Sequence, residues 1–424
     1  MTVDSKAIDH LLNRGTAEII VRSEFTRLIN STTPLRLKMG FDPSAPDIHV
    51  GHAVGLRKLR QLQELGHKVV LIVGDWTAQI GDPSGKSQTR PMLTPEEVSQ
   101  NAETYLTQFF KIIDRQRTEV RWQSEWFGSF SLTDVINITS RFTVAQLIAR
   151  EDFTTRFKAN HPIAMTELLY PLLQAYDSVA IESDVEFGGT DQKFNLLIGR
   201  DLQEMTGQRP QQIFLVPLLP GTDGKQKMSK SLGNHIGVTE SPNDIYGKTM
   251  SLPDFISEDI DQSTKPNSDS HKSLILLYME TLTDIPDKEL VEMKTSLETN
   301  TVNPMELKKL LAKELVQTYH GTTAARNAEQ HFEHTIQRRK IPKEIDTYSL
   351  SSSLDTNSKR LSHVLVESGL AESASQARRL INQGAITIDE KITKNNLSAD
   401  VIDNGSIIKI GKRRFLKIER DQKE

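Results

Sequence analysis

Cysteine is absent from the 424 residues, which excludes disulfides, a thiol nucleophile and cysteine-ligated zinc, and fits a reducing compartment. No long apolar run is present either. The most compact one, Val69 to Val73, falls far short of the roughly 20 residues that cross a bilayer. The amino terminus, Met1-Thr2-Val3-Asp4, lacks the charged and apolar regions of a secretion signal, so a cytoplasmic protein with no membrane partner is expected. No internal repeat is apparent. What remains, 37% hydrophobic and 25% charged residues, describes an ordinary globular chain with room for two or three domains. The net charge of −4 is unevenly spread: from Lys359 onward 13 Lys and Arg stand against 9 Asp and Glu, a net of +4, which leaves −8 for the first 358 residues. A modestly basic tail on an acidic body suits contact with a polyanion, and a solvated charged face has the same composition.

Two short segments carry the most chemistry. His49-Val50-Gly51-His52 follows an alternating stretch, Leu35, Leu37, Met39, Phe41, that reads as a strand, and it opens a helical pattern with Leu56, Leu59, Leu62 and Leu65 that stops at Gly66. Two histidines three apart on a first helical turn share a face. The helix N–H groups and dipole favour a phosphate there, and Gly51 lets a nucleotide approach. The second segment, Lys227-Met228-Ser229-Lys230-Ser231, follows the turn-rich Pro220-Gly221-Thr222-Asp223-Gly224 and reads as a mobile cationic loop that closes on a polyphosphate.

Around them the first 230 residues alternate strand-like and helix-like patterns, as a doubly wound parallel α/β sheet requires. Lys68 to Gly74 reads as a strand buried on both faces, and Thr94-Pro95-Glu96-Glu97 as a capping box that opens a helix to about Ile113. Residues from about 125 to 180 look like a helical insertion. The expected organisation is a catalytic nucleotide-binding domain over 1–234, a helical domain over 235–340 in which Asn303-Pro304 opens a helix ending at Gly321, a serine-rich linker over 341–358, and a small α+β domain over 359–424. In the last, Arg378 and Arg379 face outward from a helix whose inward positions include Ala377 and Ile381. With Lys412, Arg413 and Arg414 they are placed to grip phosphates without reading bases.

Further motifs fall where an amino-acid-activating site would need them. Gly81-Asp82-Pro83-Ser84-Gly85-Lys86-Ser87 resembles a P-loop at first sight, but Ile80 occupies the position of the first glycine. Tyr170, Gln174 and Asp177 stand at i, i+4 and i+7, on one side of a helix. Gly188-Gly189-Thr190-Asp191-Gln192 pairs close-approach glycines with a polar helix start.

Together the two signatures resemble those of the class I aminoacyl-tRNA synthetases, and the further motifs resemble the tyrosyl branch of bacterial type, from about residue 30 to 420. The tail resembles the S-four-type RNA-binding domain. The resemblance implies ATP, delivered with Mg2+, L-tyrosine and the tRNA for tyrosine as substrates, no bound organic cofactor, and a homodimer contact in the insertion. It implies ATP contacts from Asp42, Pro43, Ser44, His49, Gly51, His52, Gly189, Asp191 and the Lys227–Ser231 loop. Tyrosine contacts fall on Gly40, Asp82, Tyr170, Gln174, Asp177 and Gln192, with Tyr170 and Gln174 at the ammonium group and Asp177 at the phenol. Lys86 and Arg90 join His49, His52, Lys227 and Lys230 as the groups that stabilise departing pyrophosphate, and residues 235–340 become the anticodon-binding domain. One departure stands out: many tyrosyl enzymes place a tyrosine four residues before the aspartate at Asp42, and here the position is Lys38. A tryptophanyl enzyme shares the fold and signatures, and an RNA-binding regulator could keep an inactive synthetase fold. Tyrosine-dependent exchange of pyrophosphate into ATP separates the three.

Overall fold

The computed structural model describes residues 5–43, 47–83, 93–256, 272–334, 345–350, 359–389, 391–411 and 414–420. The chain divides into two compact units, 1–322 and 323–424.

The first unit is built on six strands: β1 (Glu18–Ile20), β2 (Arg36–Phe41), β3 (Lys68–Val73), β4 (Thr118–Trp122), β5 (Val185–Gly189) and β6 (Gln212–Val216). Their order in the sheet is β1-β6-β5-β2-β3-β4, with β1 antiparallel on one edge and the rest parallel. Val69 to Val73 of β3 are wholly shielded from solvent, which is why its sequence is a continuous run of Val, Leu and Ile rather than an alternation. After β2 the chain enters the Val50–Glu64 helix, which buries Leu56, Leu59 and Leu62 and is followed by Gly66 at φ +96°. Strand order reverses between β2 and β5. In sheets of this kind the connections leaving the two strands at such a switch point part to opposite sides, and ligands bind in the crevice beyond the strands' carboxyl ends.

The capping box forms as expected: Glu97 N–H donates to Thr94 Oγ1 at 3.2 Å and Thr94 N–H to Glu97 Oε2 at 2.9 Å, and the helix runs from Pro95 to Phe109, four residues short of the expected end. The insertion contains the helices Leu132–Thr139, Val144–Ile148, Glu151–Lys158 and Met165–Ala180, which bury Ile138, Phe153, Leu168 and Leu172 in a common core. Helices Pro242–Met250, Leu274–Leu282, Asp287–Glu298 and Pro304–His320 belong to the first unit as well. Arg14, four residues before β1, donates to the carbonyls of Glu280 (2.9 Å) and Thr283 (2.8 Å) at the end of the Leu274–Leu282 helix, and Tyr278 Oη donates to Pro220 O at 2.5 Å. Arg14 thereby satisfies carbonyls that the end of the Leu274–Leu282 helix leaves without partners.

In the second unit β7 (Asp346–Leu350), β8 (Ile386–Ile388), β9 (Lys391–Thr393), β10 (Ile407–Ile410) and β11 (Arg414–Arg420) form a sheet in the order β7-β11-β10-β8-β9. Helices Leu361–Glu367 and Ala374–Asn382 pack on it through Leu361, Val364, Leu365 and Ile381, all fully buried. The stretch expected to be linker differs. Asp346–Leu350 is a strand paired in parallel with β11, and its Leu350 is buried in the core of this unit. Serine-rich composition hides it because β7 is an edge strand with one mostly exposed face, and such a strand tolerates polar residues.

Candidate active site

The two cationic and histidine-bearing segments meet at the mouth of the crevice. Val50 N–H donates to Ile236 O at 2.9 Å, Val238 N–H to Ile48 O at 3.2 Å, and His49 and Gly237 form a β-bridge. The chain just after the lysine loop is thus stitched to the start of the Val50–Glu64 helix. His49 is the N-cap of that helix and donates its backbone N–H to His52 Nδ1 at 3.2 Å, with the two rings 4.0 Å apart. Because His52 accepts at Nδ1, its proton sits on Nε2, which is left as a donor. Burial pushes the His52 imidazole down to about 4, with the charges of Lys227 and Lys230 adding to the shift. Burial and neighbouring His52 drive His49 lower still. At neutral pH both rings are uncharged donors, and the positive field of the site comes from the helix terminus and the two lysines.

His49 Nδ1 is buried and has no hydrogen-bond partner among the described residues, an open valence of the kind a ligand fills. A Cβ on Gly51 would stand 2.9 Å from His49 Cε1 and Nδ1, so glycine is needed here first to let the His49 ring fold over the helix terminus.

The lysine loop is anchored by Met228, 1% exposed, whose N–H donates to Leu219 O at 2.9 Å. Lys227 pairs with Asp191 at 2.5 Å, and Lys230 Nζ lies 3.5 Å from Asp47 Oδ2. Asn234 holds the loop from behind: it accepts from Ser229 N–H at 2.8 Å and donates to Asp223 Oδ2 at 3.0 Å. Ser229 and Ser231 hydroxyls bond each other at 2.8 Å.

On the other side of the crevice, Lys38, Gly40 and Asp42 lie along one face of the β2 segment by the two-residue period of a strand, opposite the helix that carries Tyr170, Gln174 and Asp177. Tyr170 Oη donates to Asp42 Oδ2 at 2.8 Å and Thr77 Oγ1 to Asp42 Oδ1 at 2.7 Å. A Cβ on Gly74 would stand 2.3 Å from that Asp42 oxygen. Gly40 is exposed, and nothing lies within 4 Å of where its Cβ would be: between the Asp42 and Lys38 rungs there is open space. Lys38 does not reach into it. Its ammonium is fully buried, donating to Gln174 O (2.9 Å) and Ser178 Oγ (2.8 Å) and pairing with Glu186 (3.0 Å). At the far end Gln192 Nε2 donates to Asp82 Oδ2 at 2.7 Å. A Cβ on Gly189 would stand 2.6 Å from Asp191 and 2.8 Å from Leu218. Pro43 O accepts from Asn101 Nδ2 at 3.1 Å.

Asp177 is 2% exposed and accepts from Gln123 Nε2 (3.2 Å at Oδ1, 2.9 Å at Oδ2) and Trp126 Nε1 (3.2 Å). These contacts occupy three of the roughly four lone-pair positions of a carboxylate and leave one on Oδ2. Burial raises the Asp177 carboxyl to about 7 against the pull of Lys38. The native state therefore holds a proton, between about pH 4 and pH 7, that the unfolded chain has released, so this group's contribution to stability falls as pH rises through that window. The difference in melting temperature between the natural chain and an Asp177→Asn variant should narrow as pH is raised from about 5 to about 8. A gap that stays constant with pH would mean that Asp177 titrates at its ordinary value.

Ser44, Lys86, Arg90, Lys412 and Arg413 lie outside the described residues. Arg378 and Arg379 are exposed on their helix, and Arg414 opens β11 and donates to Leu370 O at 3.0 Å. The remaining residues expected to contact ATP and tyrosine lie on β2 and the turn after it, at the start of the Val50–Glu64 helix, at Asp82, on the Met165–Ala180 helix, at the end of β5 and the turn that follows, and in the loop 227–231. Gln123, Trp126, Thr77 and Asn234 were not expected. Gln123, Trp126 and Thr77 act through partners remote in sequence, and Asn234 within its own loop, where no spacing marks it.

Residues 30–337 match the family model for the tRNA synthetases of class I (W and Y), and residues 359–396 match the S4 domain. The chain is 56% identical to the tyrosine–tRNA ligase of Dehalococcoides mccartyi strain CBDB1 over 98% of this chain and 100% of that one. It is 46% identical to the tyrosine–tRNA ligase of Thermotoga maritima, with 96% of each chain covered. Among solved structures, tyrosyl-tRNA synthetase complexed with L-tyrosine from Archaeoglobus fulgidus shares the fold at a TM-score of 0.59 and 23% identity, covering 76% of this chain and 99% of that one. The chain belongs to the class I tRNA synthetases. Its activity, among the two amino acids that this group serves, is tyrosine–tRNA ligation: tyrosine is activated with ATP and joined to its tRNA.

Proposed function

We propose the following division of labour around the crevice. Tyrosine lies over Gly40, its ammonium group taken by Tyr170, Gln174 and Asp82, with Gln192 beside them, and its phenol directed at the remaining lone pair of Asp177. ATP enters as its magnesium complex. Its phosphates lie at the helix terminus beside His49, Gly51 and His52, and its ribose meets Gly189 and Asp191. Asp42, Pro43 and Ser44 border both ligands. The tyrosine carboxylate attacks the α-phosphorus, a new O–P bond forms as the bond to pyrophosphate breaks, and the terminal ribose hydroxyl of tRNA then attacks the activated carbonyl and releases AMP. Neither step needs a covalent enzyme intermediate. Positioning and charge stabilisation are sufficient, the latter from Lys227, Lys230, Lys86 and Arg90 at the departing pyrophosphate. The observation that carries this reading is the stitching of residues 236–238 to residues 48–50, which brings both lysines within the field felt by the two histidines.

The tail supplies tRNA contacts through Arg378, Arg379, Lys412, Arg413 and Arg414, and the helices within 235–340 meet the anticodon. Because β7 belongs to the sheet of the tail, that sheet is removed whole by ending the chain at His334 rather than after Leu350. Such a chain should keep tyrosine-dependent pyrophosphate exchange near the full rate and fail to charge tRNA. The intact protein should lose tRNA affinity steeply with salt, and the shortened one less steeply. Normal charging with an unchanged salt slope would move recognition to the helical segment.

The insertion leaves Leu132, Ile136, Phe157 and Met165 exposed at 75%, 55%, 61% and 71% although its inner face is packed. Apolar side chains gathered in one insertion mark an interface, and its occupant is a second copy of this chain in the cytoplasm. Ile136→Asp combined with Met165→Asp should halve the mass seen by sedimentation, to the 47.8 kDa of one chain. An unchanged mass would place the contact elsewhere.

A further inference from the structure

We infer that the buried ion pair between Lys38 and Glu186 is a positioning device for the substrate's ammonium group, acting through the side-chain amide of Gln174. This rests on the reading of Gln174 as an ammonium acceptor.

An amide side chain can present either its oxygen or its NH2, and an ammonium group is received only by the oxygen. Glu186 decides which. It is 1% exposed, and as a carboxylate held against Lys38 it accepts hydrogen bonds and donates none. Gln174 Nε2 donates to Glu186 Oε1 at 3.3 Å, which turns Gln174 Oε1 the other way. That oxygen accepts from Asn195 Nδ2 at 3.1 Å and keeps its second lone pair. Asn195 Nδ2 also donates to Gln192 Oε1 at 3.1 Å, and Gln192 Nε2 donates to Asp82. Arg150 fixes Asn195 from the opposite side by donating to its oxygen at 3.3 Å. A row of three amides therefore runs between two carboxylates, Glu186 and Asp82, and each amide has one orientation that satisfies both neighbours.

The pair is built to hold Glu186 still. Lys38 spends its three donors on Glu186, Ser178 Oγ and Gln174 O, while Ser178 Oγ (3.1 Å) and Gln211 Nε2 (2.5 Å) donate to Glu186 Oε2. A Cβ on Gly199 would stand 2.9 Å from Gln211 Nε2, so the Lys193–Met205 helix carries glycine where it passes the cluster. Lys38 grips the same turn of helix that carries Gln174, by backbone carbonyl as well as through the carboxylate. A buried carboxylate left without its cation would be strongly disfavoured. The lysine that stands where many tyrosyl enzymes have a tyrosine thus works behind the pocket rather than at the substrate hydroxyl.

Glu186→Gln keeps the shape and removes the compulsion, since an amide at 186 can accept from Gln174 or donate to it. In tyrosine-dependent pyrophosphate exchange, KM for tyrosine should rise about tenfold or more, while kcat and KM for ATP stay within about threefold. Lys38→Met combined with Glu186→Gln leaves no lone buried charge and should show the same selective rise. Inhibition by 3-(4-hydroxyphenyl)propanoate, which is tyrosine without its ammonium group, should be unchanged in both variants. An unchanged tyrosine KM, or an equal loss of affinity for the propanoate, would overturn the inference. Gln174→Ala separates the two layers. A raised tyrosine KM there, with none in Glu186→Gln, overturns the inference alone, and an unchanged one overturns the reading of Gln174 together with it.

Discussion

Phenylalanine should support pyrophosphate exchange with a kcat/KM on the order of 10⁴ to 10⁵ below that of tyrosine, a discrimination that needs no editing. The size of the effect follows from what phenylalanine leaves behind. On the proposed reading the phenol is directed at Asp177, which lies 2% exposed with Gln123 and Trp126 already donating to it and one acceptor position open. A phenol fills that position. A phenyl ring excludes water from it and supplies nothing, so a buried acceptor goes unpaired. Asp177→Asn keeps the volume but turns an amide toward the donors of Gln123 and Trp126. That variant should lose activity with tyrosine and most of the discrimination with it. Exchange measured with phenylalanine within roughly tenfold of tyrosine in the natural chain would show that Asp177 does not read the phenol.

What could be read along the sequence, and what could not, divides by distance. The β3 strand, the Thr94 capping box, the Asn303 cap and the helix bearing Tyr170, Gln174 and Asp177 are each set by periodicity or by contacts two to four residues apart, and all form. The two signatures were visible as segments, but their stitching through residues 48–50 and 236–238 depends on a strand order that no local pattern encodes. Lys38 shows the limit most plainly. Its neighbours along β2 say nothing about Gln174, Ser178 or Glu186, which are brought to it only by packing of the helix across the sheet. The strand β7 was hidden for the opposite reason: its partner β11 lies some 70 residues away, and an edge strand needs little apolar sequence of its own.

Lys230→Ala should slow adenylate formation by about 10² to 10³, corresponding to roughly 3 to 4 kcal/mol of lost transition-state stabilisation, while leaving the affinity for tyrosine nearly unchanged. Lys230 stands 27% exposed, and the one ion pair of its side chain among the described residues is a loose one to Asp47 at 3.5 Å. Removing it therefore leaves no charge buried and no cavity, and folding should be intact. Its partner lysine is placed differently. Lys227 is tied to Asp191, the residue assigned to the ribose, so Lys227→Ala frees a carboxylate at the ATP site and should also weaken ATP binding in the ground state. Both histidines are neutral at working pH, so at the helix terminus the formal positive charge is that of these lysines, which the proposed reading sets against pyrophosphate as its bond to the α-phosphorus breaks. A cation that engages only as negative charge moves onto the leaving group raises kcat without tightening substrate binding. Single-turnover adenylate formation and tyrosine binding in the absence of ATP, measured on the same Lys230→Ala protein, separate the two. Losing both in equal measure would make Lys230 a wall of the tyrosine pocket rather than a group that acts on the transition state.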